Sequence, residues 1–317
     1  MPARRPLTTS ILVLATVGLL AGCGSGQTAP PAPQAAASGA PSTDASPAAS
    51  GSAVLAPASP APSGSTKGAP KTLDERKKAA EAFIAGKSGK LGIVVRDRVT
   101  GAVWRAGTTR DATWTASTIK LAIATNLLER HRAGSITLDA TDRTNMREAL
   151  VNSSNDAATA LWNKYNGPAM LDTFRSTYGM TGLAVVPGYD TFWRNLRCNA
   201  EDLQALMSYV LDRINAEDRA YLVSTLRGVA SNQHWGVWAA GVSLKPGNKD
   251  GWAQKPDDGG THWVTHSVGF AGDGERYVVA VTYRLTPSGS LNDGVHAVSD
   301  LIATYFGAPV PAKVTSP

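Results

Sequence analysis

Cysteine is nearly absent from this chain: its 317 residues contain two, Cys23 and Cys198. A disulfide-stapled scaffold is excluded, and the fold must rest on a packed core. Long apolar runs are missing too. The stretch from Ile11 to Leu20 is about half of the ~20 residues that a membrane-spanning helix needs. The formal charge of +6 is modest, and no block of lysine and arginine is interleaved with aromatics, so a nucleic-acid partner is not expected. The five histidines form no His/Asp/Glu spacing suited to a metal. Neither a metal nor an obligate cofactor is expected. There are no heptads and no short-period repeats.

What is present divides the chain into four parts. Residues 1–23 begin with Arg4 and Arg5, continue through the short apolar run and end in Leu20-Ala21-Gly22-Cys23. This resembles a bacterial lipoprotein signal, which implies cleavage before Cys23, lipid on its sulfur, and export to the outer face of the cell membrane. Residues 24–71 are Ala, Pro, Ser, Gly and Thr with hardly a large apolar side chain. Such a segment cannot bury a core and reads as a disordered tether. Residues 72–309 are long enough for one sizeable domain, and residues 310–317 form a tail. If Cys23 carries lipid, Cys198 has no partner.

Within the domain, Thr72-Leu73-Asp74-Glu75 is a capping box that opens a helix ending near Gly86. Residues 91–96 and 102–106 are β-rich and flank turn chemistry, so they read as a hairpin. Helices are expected over residues 117–131, 144–150, 157–165, 169–178, 200–214 and 216–229, with Asn199 and Asp202 capping the fifth. Strands are expected at 241–245, 262–268 and 277–283, the last apolar on both faces as a central strand should be. A closing helix spans residues 291–306. The fold class that follows is α/β of the α+β kind. A five-stranded antiparallel sheet is flanked by helices, an all-helical lobe stands beside it, and the active site lies in the cleft between them.

Three short motifs carry chemistry. Ser117-Thr118-Ile119-Lys120 places a hydroxyl and an amine three residues apart on one helix face, near the helix N-terminus. A desolvated lysine there can take the proton of the serine. Ser153-Ser154-Asn155 follows, and by itself it is equally a turn and helix cap. A lysine-x-glycine comes last. Lys245-Pro246-Gly247 directly follows a β-rich run and is preferred on strand geometry; Lys249-Asp250-Gly251 is the alternative. Taken in this order, the three motifs resemble those of the serine β-lactamases and penicillin-binding proteins, most closely the class A β-lactamase-like branch.

That resemblance implies roles. Ser117 would be the nucleophile and Lys120 its activator. Ser153 would relay a proton to the leaving nitrogen, and Asn155 would hold the substrate's acylamide. The lysine of the third motif, Lys245 with Gly247 or Lys249 with Gly251, would attract the substrate carboxylate. The oxyanion would be held by the N–H of Ser117 and that of the residue after the third motif. Class A enzymes also use a loop glutamate to release the acyl group, and residues 181–197 contain none. Asp190 is the one carboxylate in that loop; it could substitute, but an ion pair with Arg194 or Arg197 explains it more simply. His266 reads as a packed strand residue, while His234 could line the cleft. Trp114, Trp193, Trp235 and Trp252 lie in or near site-forming loops. The expectation is a monomeric, lipid-anchored serine acyl hydrolase acting on β-lactam-like or D-alanyl amides, with slow release of the acyl group. The alternative is a degenerate lipoprotein that binds cell-wall peptides without turnover, and a third, weaker reading is an esterase or β-lactamase-like tailoring hydrolase.

Overall fold

The computed structural model describes residues 71–257 and 259–317. The signal-like segment, its Cys23 and the tether at 24–71, apart from Lys71, lie outside the described residues. Helix α1 (Leu73–Ala85) starts at the Thr72–Glu75 capping box and is followed by strands β1 (Lys90–Asp97) and β2 (Val103–Gly107). Then come β3 (Thr113–Trp114), α2 (Ile119–Arg132), α3 (Ala140–Val151), α4 (Asn155–Lys164) and α5 (Leu171–Ser176). The short strands β4 (Ala184–Val185) and β5 (Leu196–Cys198) precede α6 (Ala200–Asp212) and α7 (Ala216–Arg227). Strands β6 (Gly247–Asp257), β7 (Gly260–Ala271) and β8 (Tyr277–Arg284) and helix α8 (Leu291–Phe306) close the chain.

The main sheet has five antiparallel strands in the order β2-β1-β8-β7-β6, so strands from both ends of the domain meet at β1 and β8. Period-two alternation divides its faces. Val278 and Ala280 of β8 join Val268 and Phe270 of β7 in the core of the helical lobe. Val279, Val281 and Tyr283 face the other way, with Leu91, Ile93 and Val95 of β1, against α8. The strand is thus buried on both faces, as its composition predicts. Gly294 lets α8 lie close on the sheet: a Cβ there would stand 2.6 Å from Thr265 Oγ1. A second, small sheet joins β3, β5 and β4.

Helix α2 is the spine of the helical lobe. Every residue from Ile119 to Leu128 is buried, and a helix apolar nearly all round is one enclosed on all sides. Lys120 is inside that run. One expected strand is corrected: residues 242–244 form a 3₁₀ turn, not a strand. Gly241 (φ +96°) and Lys245 (φ +47°) are both left-handed and bend the chain at either end of it. The strand begins at Gly247 instead. The tail packs back: Val314 lies against the α8-side core, and Ala312 N–H donates to Asp300 at 2.7 Å.

Asp142 anchors the helix pair that leads to the Ser153 loop. It closes the α3 capping box with Asp139, accepts from Lys164 Nζ at 2.8 Å, and accepts from Tyr165 Oη at 2.5 Å. Substituting Asp142→Ala removes the returning half of the capping box and one acceptor each of Lys164 and Tyr165, while Asp139 still caps the helix and Tyr165 Oη keeps Thr137 O at 3.0 Å, so it is expected to destabilise the fold by about 1–2 kcal/mol. Urea unfolding measures this as a lower midpoint with an unchanged slope.

Candidate active site

Ser117 sits in a 3₁₀ turn, Ala116–Thr118, that runs straight into α2. Ala116 before it is held at φ +47°, and Ser153, across the site, at φ +56°. Left-handed backbone costs an L-residue about 1–2 kcal/mol, and here both instances stand beside reactive groups. The Ser153 loop is fixed by α3 behind it and by Ser154, which caps α4 through Ala157 N–H at 3.2 Å.

Lys120 is buried, with no carboxylate partner among the described residues. Its Nζ donates to Ser153 O at 2.6 Å and Asn155 Oδ1 at 2.9 Å, and lies 3.5 Å from Ser153 Oγ. The face of Trp193 is 4.8 Å away. Burial, assisted by the nearby Arg194 charge, lowers the Lys120 pKa to about 7. A neutral amine has two N–H donors and one lone pair. The two donors match the Ser153 carbonyl and the Asn155 amide, which leaves the lone pair to act as a base.

Lys249, on β6, is fully buried. Its Nζ donates to Ser153 Oγ at 2.9 Å, to Asp250 O at 2.8 Å and to Gln233 Oε1. Burial, then repulsion from Lys120, holds its pKa well below the usual lysine value. Asp250 next to it is also buried, which raises its pKa to about 8 and keeps it a neutral acid at pH 7. The structure therefore brings Ser117, Lys120, Ser153, Asn155, Lys249 and Gly251 into one site. Gly251 is pressed against the nucleophile's backbone, where an added Cβ would be 2.9 Å from the nitrogens of both Ser117 and Thr118.

Lys245 and Gly247, preferred from the sequence, lie elsewhere. Lys245 is solvent-exposed and pairs with Asp273 at 2.9 Å. A Cβ on Gly247 would meet the Phe270 ring rather than the site. Asp190 is exposed and accepts from Asn195 Nδ2 at 2.5 Å, not from Arg194 or Arg197. His234 stacks on Trp238 and bonds Val229 O at 3.0 Å. His266 bonds Trp114 O at 2.8 Å, and burial lowers its pKa to about 4, so it is a neutral strut. Cys198 is buried and free.

A cavity of about 50 Å³ opens beside Ser117, lined by Ala116, Asn155, Trp193, Arg194, Trp252, Ala253 and Lys255. No carboxylate is among these residues. The loop that carries Asp190 presents Trp193 to Lys120 instead.

Gln233 was not visible as a functional residue in the sequence. Its Oε1 accepts from Lys249 Nζ and from Asp250 N–H at 3.1 Å, while its Nε2 donates to Leu150 O and Val151 O, both at 2.7 Å. One neutral amide thus ties the lysine strand to the end of α3. Its polar neighbours Ser231 and Asn232 resemble an ordinary loop, and nothing local marks the burial.

Lysine variants separate the two candidates. Lys245→Ala is expected to change stability by less than about 0.5 kcal/mol, as for an exposed ion pair. Lys249→Ala removes the buried amine that bonds Gln233 Oε1, Ser153 Oγ and Asp250 O and leaves a cavity in its place, so it is expected to cost about 1–3 kcal/mol, read by chemical denaturation.

Residues 75–164 match the sequence model of the β-lactamase enzyme family. Over 219 residues the chain is 29% identical to a protein described as "Putative lipoprotein LppW" in Mycobacterium bovis and Mycobacterium tuberculosis, covering 66% of this chain and 68% of that protein. Among solved structures, an ancestral class A β-lactamase aligns with a TM-score of 0.59 at 18% identity, covering 72% of this chain and 98% of that one. A β-lactamase from Desulfarculus baarsii aligns with a TM-score of 0.56 at 19% identity, covering 75% and 98%. The chain is thus β-lactamase-like: it has the class A β-lactamase fold, and its residues 75–164 carry the sequence pattern of the β-lactamase enzyme family.

Proposed function

We propose that this protein is a serine acyl hydrolase of the β-lactamase and penicillin-binding type, which forms an acyl-enzyme on Ser117 and releases it slowly. The observation that carries the first half is the burial of Lys120 one helical turn after Ser117 without a carboxylate partner. A lysine with a pKa near 7 is a competent base at neutral pH. In the reaction, Ser117 Oγ bonds to the amide or lactam carbonyl carbon and its proton passes to Lys120 Nζ. The C–N bond then breaks. Ser153 Oγ, between Lys120 and Lys249, hands a proton to the departing nitrogen while it is replaced from Lys120. The oxyanion would be held by the N–H of Ser117 and that of Trp252, the residue after Lys249-Asp250-Gly251.

The second half rests on an absence in the cavity. Release needs a base to activate water, and the residues lining the space beside Ser117 are aromatic, neutral or cationic. Losing a positioned base typically lowers the rate by about 10²–10⁴. The likeness to a protein described as a lipoprotein, with the Leu20-Ala21-Gly22-Cys23 motif, supports a lipid-anchored protein on the outer face of the membrane. The cell-wall peptide or a related small amide would then be the substrate, met by a monomer.

Incubation with a fluorescent penicillin, followed by intact-mass measurement over time, is expected to show one stable adduct, absent from Ser117→Ala. No adduct and no turnover would sink the enzyme reading and favour a cell-wall-peptide-binding protein. Fast turnover abolished by Asp190→Asn would sink the slow-release half.

The acylation rate has an expected pH profile. Neutral Lys120 is the active form, so the rate rises with pH through about 7 and then levels. Arg194 disfavours the protonated amine, so Arg194→Gln raises the Lys120 pKa and moves the rising limb to higher pH. Stopped-flow acylation at constant ionic strength reads both limbs.

A further inference from the structure

Among the described residues, those lining the mouth of the site include two cations and no anion. Arg194 and Lys255 both line the cavity beside Ser117. Lys255 Nζ donates to the backbone carbonyl of Arg194 at 3.1 Å and stands 4.4 Å from the Trp114 ring. The Arg194 guanidinium lies 5.8 Å from the Trp193 ring. Aromatic faces and a carbonyl are thus the only partners of the two head groups among the described residues. Other arginines of the domain are neutralised: Arg96 and Arg98 by Asp212, Arg132 by Asp218, Arg276 by Asp97, and Arg284 by Asp257.

The members of this cluster repel one another. The charge of Arg194 adds to burial in lowering the pKa of both Lys120 and Lys255. Like charges gathered at one opening without compensation create a potential that draws an anion to it. The position of that anion also follows. Lys249 is fully buried behind Ser153, whereas Arg194 and Lys255 share the cavity wall with Asn155. An anion at the rim is therefore distinct from one drawn towards Lys249. With only about 50 Å³ beside Ser117, the remainder of a bound molecule must run out along this rim.

We propose that the acyl arm of the compound that acylates Ser117 ends in a carboxylate, held at the cavity mouth between Arg194 and Lys255. The substrate class is thus an acidic acyl-amino-acid amide or lactam, with its second anionic group on the side of Asn155. This rests on the acyl-enzyme reading above and adds to it the chemistry of the arm.

The test compares two thioesters of equal length, N-glutaryl-D-alanyl thiolactate and N-pentanoyl-D-alanyl thiolactate, which differ in the terminal carboxylate. Second-order acylation of Ser117 is followed by intact mass at one pH. The glutaryl ester is expected to react about tenfold faster or more, a preference that shrinks as salt is added. In Arg194→Gln/Lys255→Gln the ratio is expected to fall to within about twofold of one. Equal rates in the wild-type protein, or a preference that survives the double substitution, would overturn the proposal. If neither ester acylates Ser117, the acyl-enzyme reading fails by itself. Calorimetric titration of Ser117→Ala with N-glutaryl- and N-pentanoyl-D-alaninamide then decides about the arm. Tighter binding of the glutaryl amide, lost on substitution of Arg194 and Lys255, supports the anion site; equal or absent binding rejects it.

Discussion

Two lysines are buried here without a negative charge to meet them, and the architecture of the site follows from how that is made tolerable. Lys120 and Lys249 point at dipoles: the carbonyls of Ser153 and Asp250, the hydroxyl of Ser153, and the amides of Asn155 and Gln233. An uncompensated buried charge is costly, so burial shifts both amines towards their neutral forms. The same burial holds Asp250 neutral. Burial thus works against positive charge inside the site, and fixed charge sits at its rim, in Arg194 and Lys255.

Keeping the dipoles in register takes three separate parts of the fold. Helix α2 carries Lys120 within its fully buried run. The Ser153 loop is held in a left-handed turn between α3 and α4. Strand β6, at the sheet edge, carries Lys249 and the small Gly251 against the start of α2. Gln233 links the second and third of these with four hydrogen bonds from one side chain. A neutral amide can do so without adding a charge that would raise the pKa of Lys249, as a carboxylate in its place would.

Most of the fold was legible in the sequence because its local signals agree with the tertiary outcome. The capping boxes at Thr72 and Asn199 mark helix starts where they occur, and the apolar spacing of α8 gives its bounds, Leu291–Phe306. Strand β8 could be recognised as central from its unbroken apolar run. The third motif was harder. Val242-Ser243-Leu244 has strand-like residues, but left-handed turns on either side forbid a strand. Asn248-Lys249-Asp250 looks like a solvated loop, yet all three residues are fully buried on an edge strand. Local patterning cannot detect polar residues whose partners lie on elements far away in sequence, and the same blindness hid Gln233. The missing loop glutamate, by contrast, was visible as an absence, and Trp193 occupies the space next to Lys120.

The depressed pKa of Lys120 also bears on the thermodynamics of the whole domain. An unfolded lysine titrates near 10.4 and the folded one near 7, so folding at neutral pH must expel a proton or bury a charge. The penalty is fully present below the folded value and is relieved as pH rises towards the unfolded one. On the ordinary conversion it amounts to about 4–5 kcal/mol, a large share of a typical domain's net stability. The domain carries that load in every molecule, whether or not a ligand is present. Its reactive amine is maintained at the expense of the fold, so the apolar residues packed around α2 are as much a requirement of the chemistry as the serine they position.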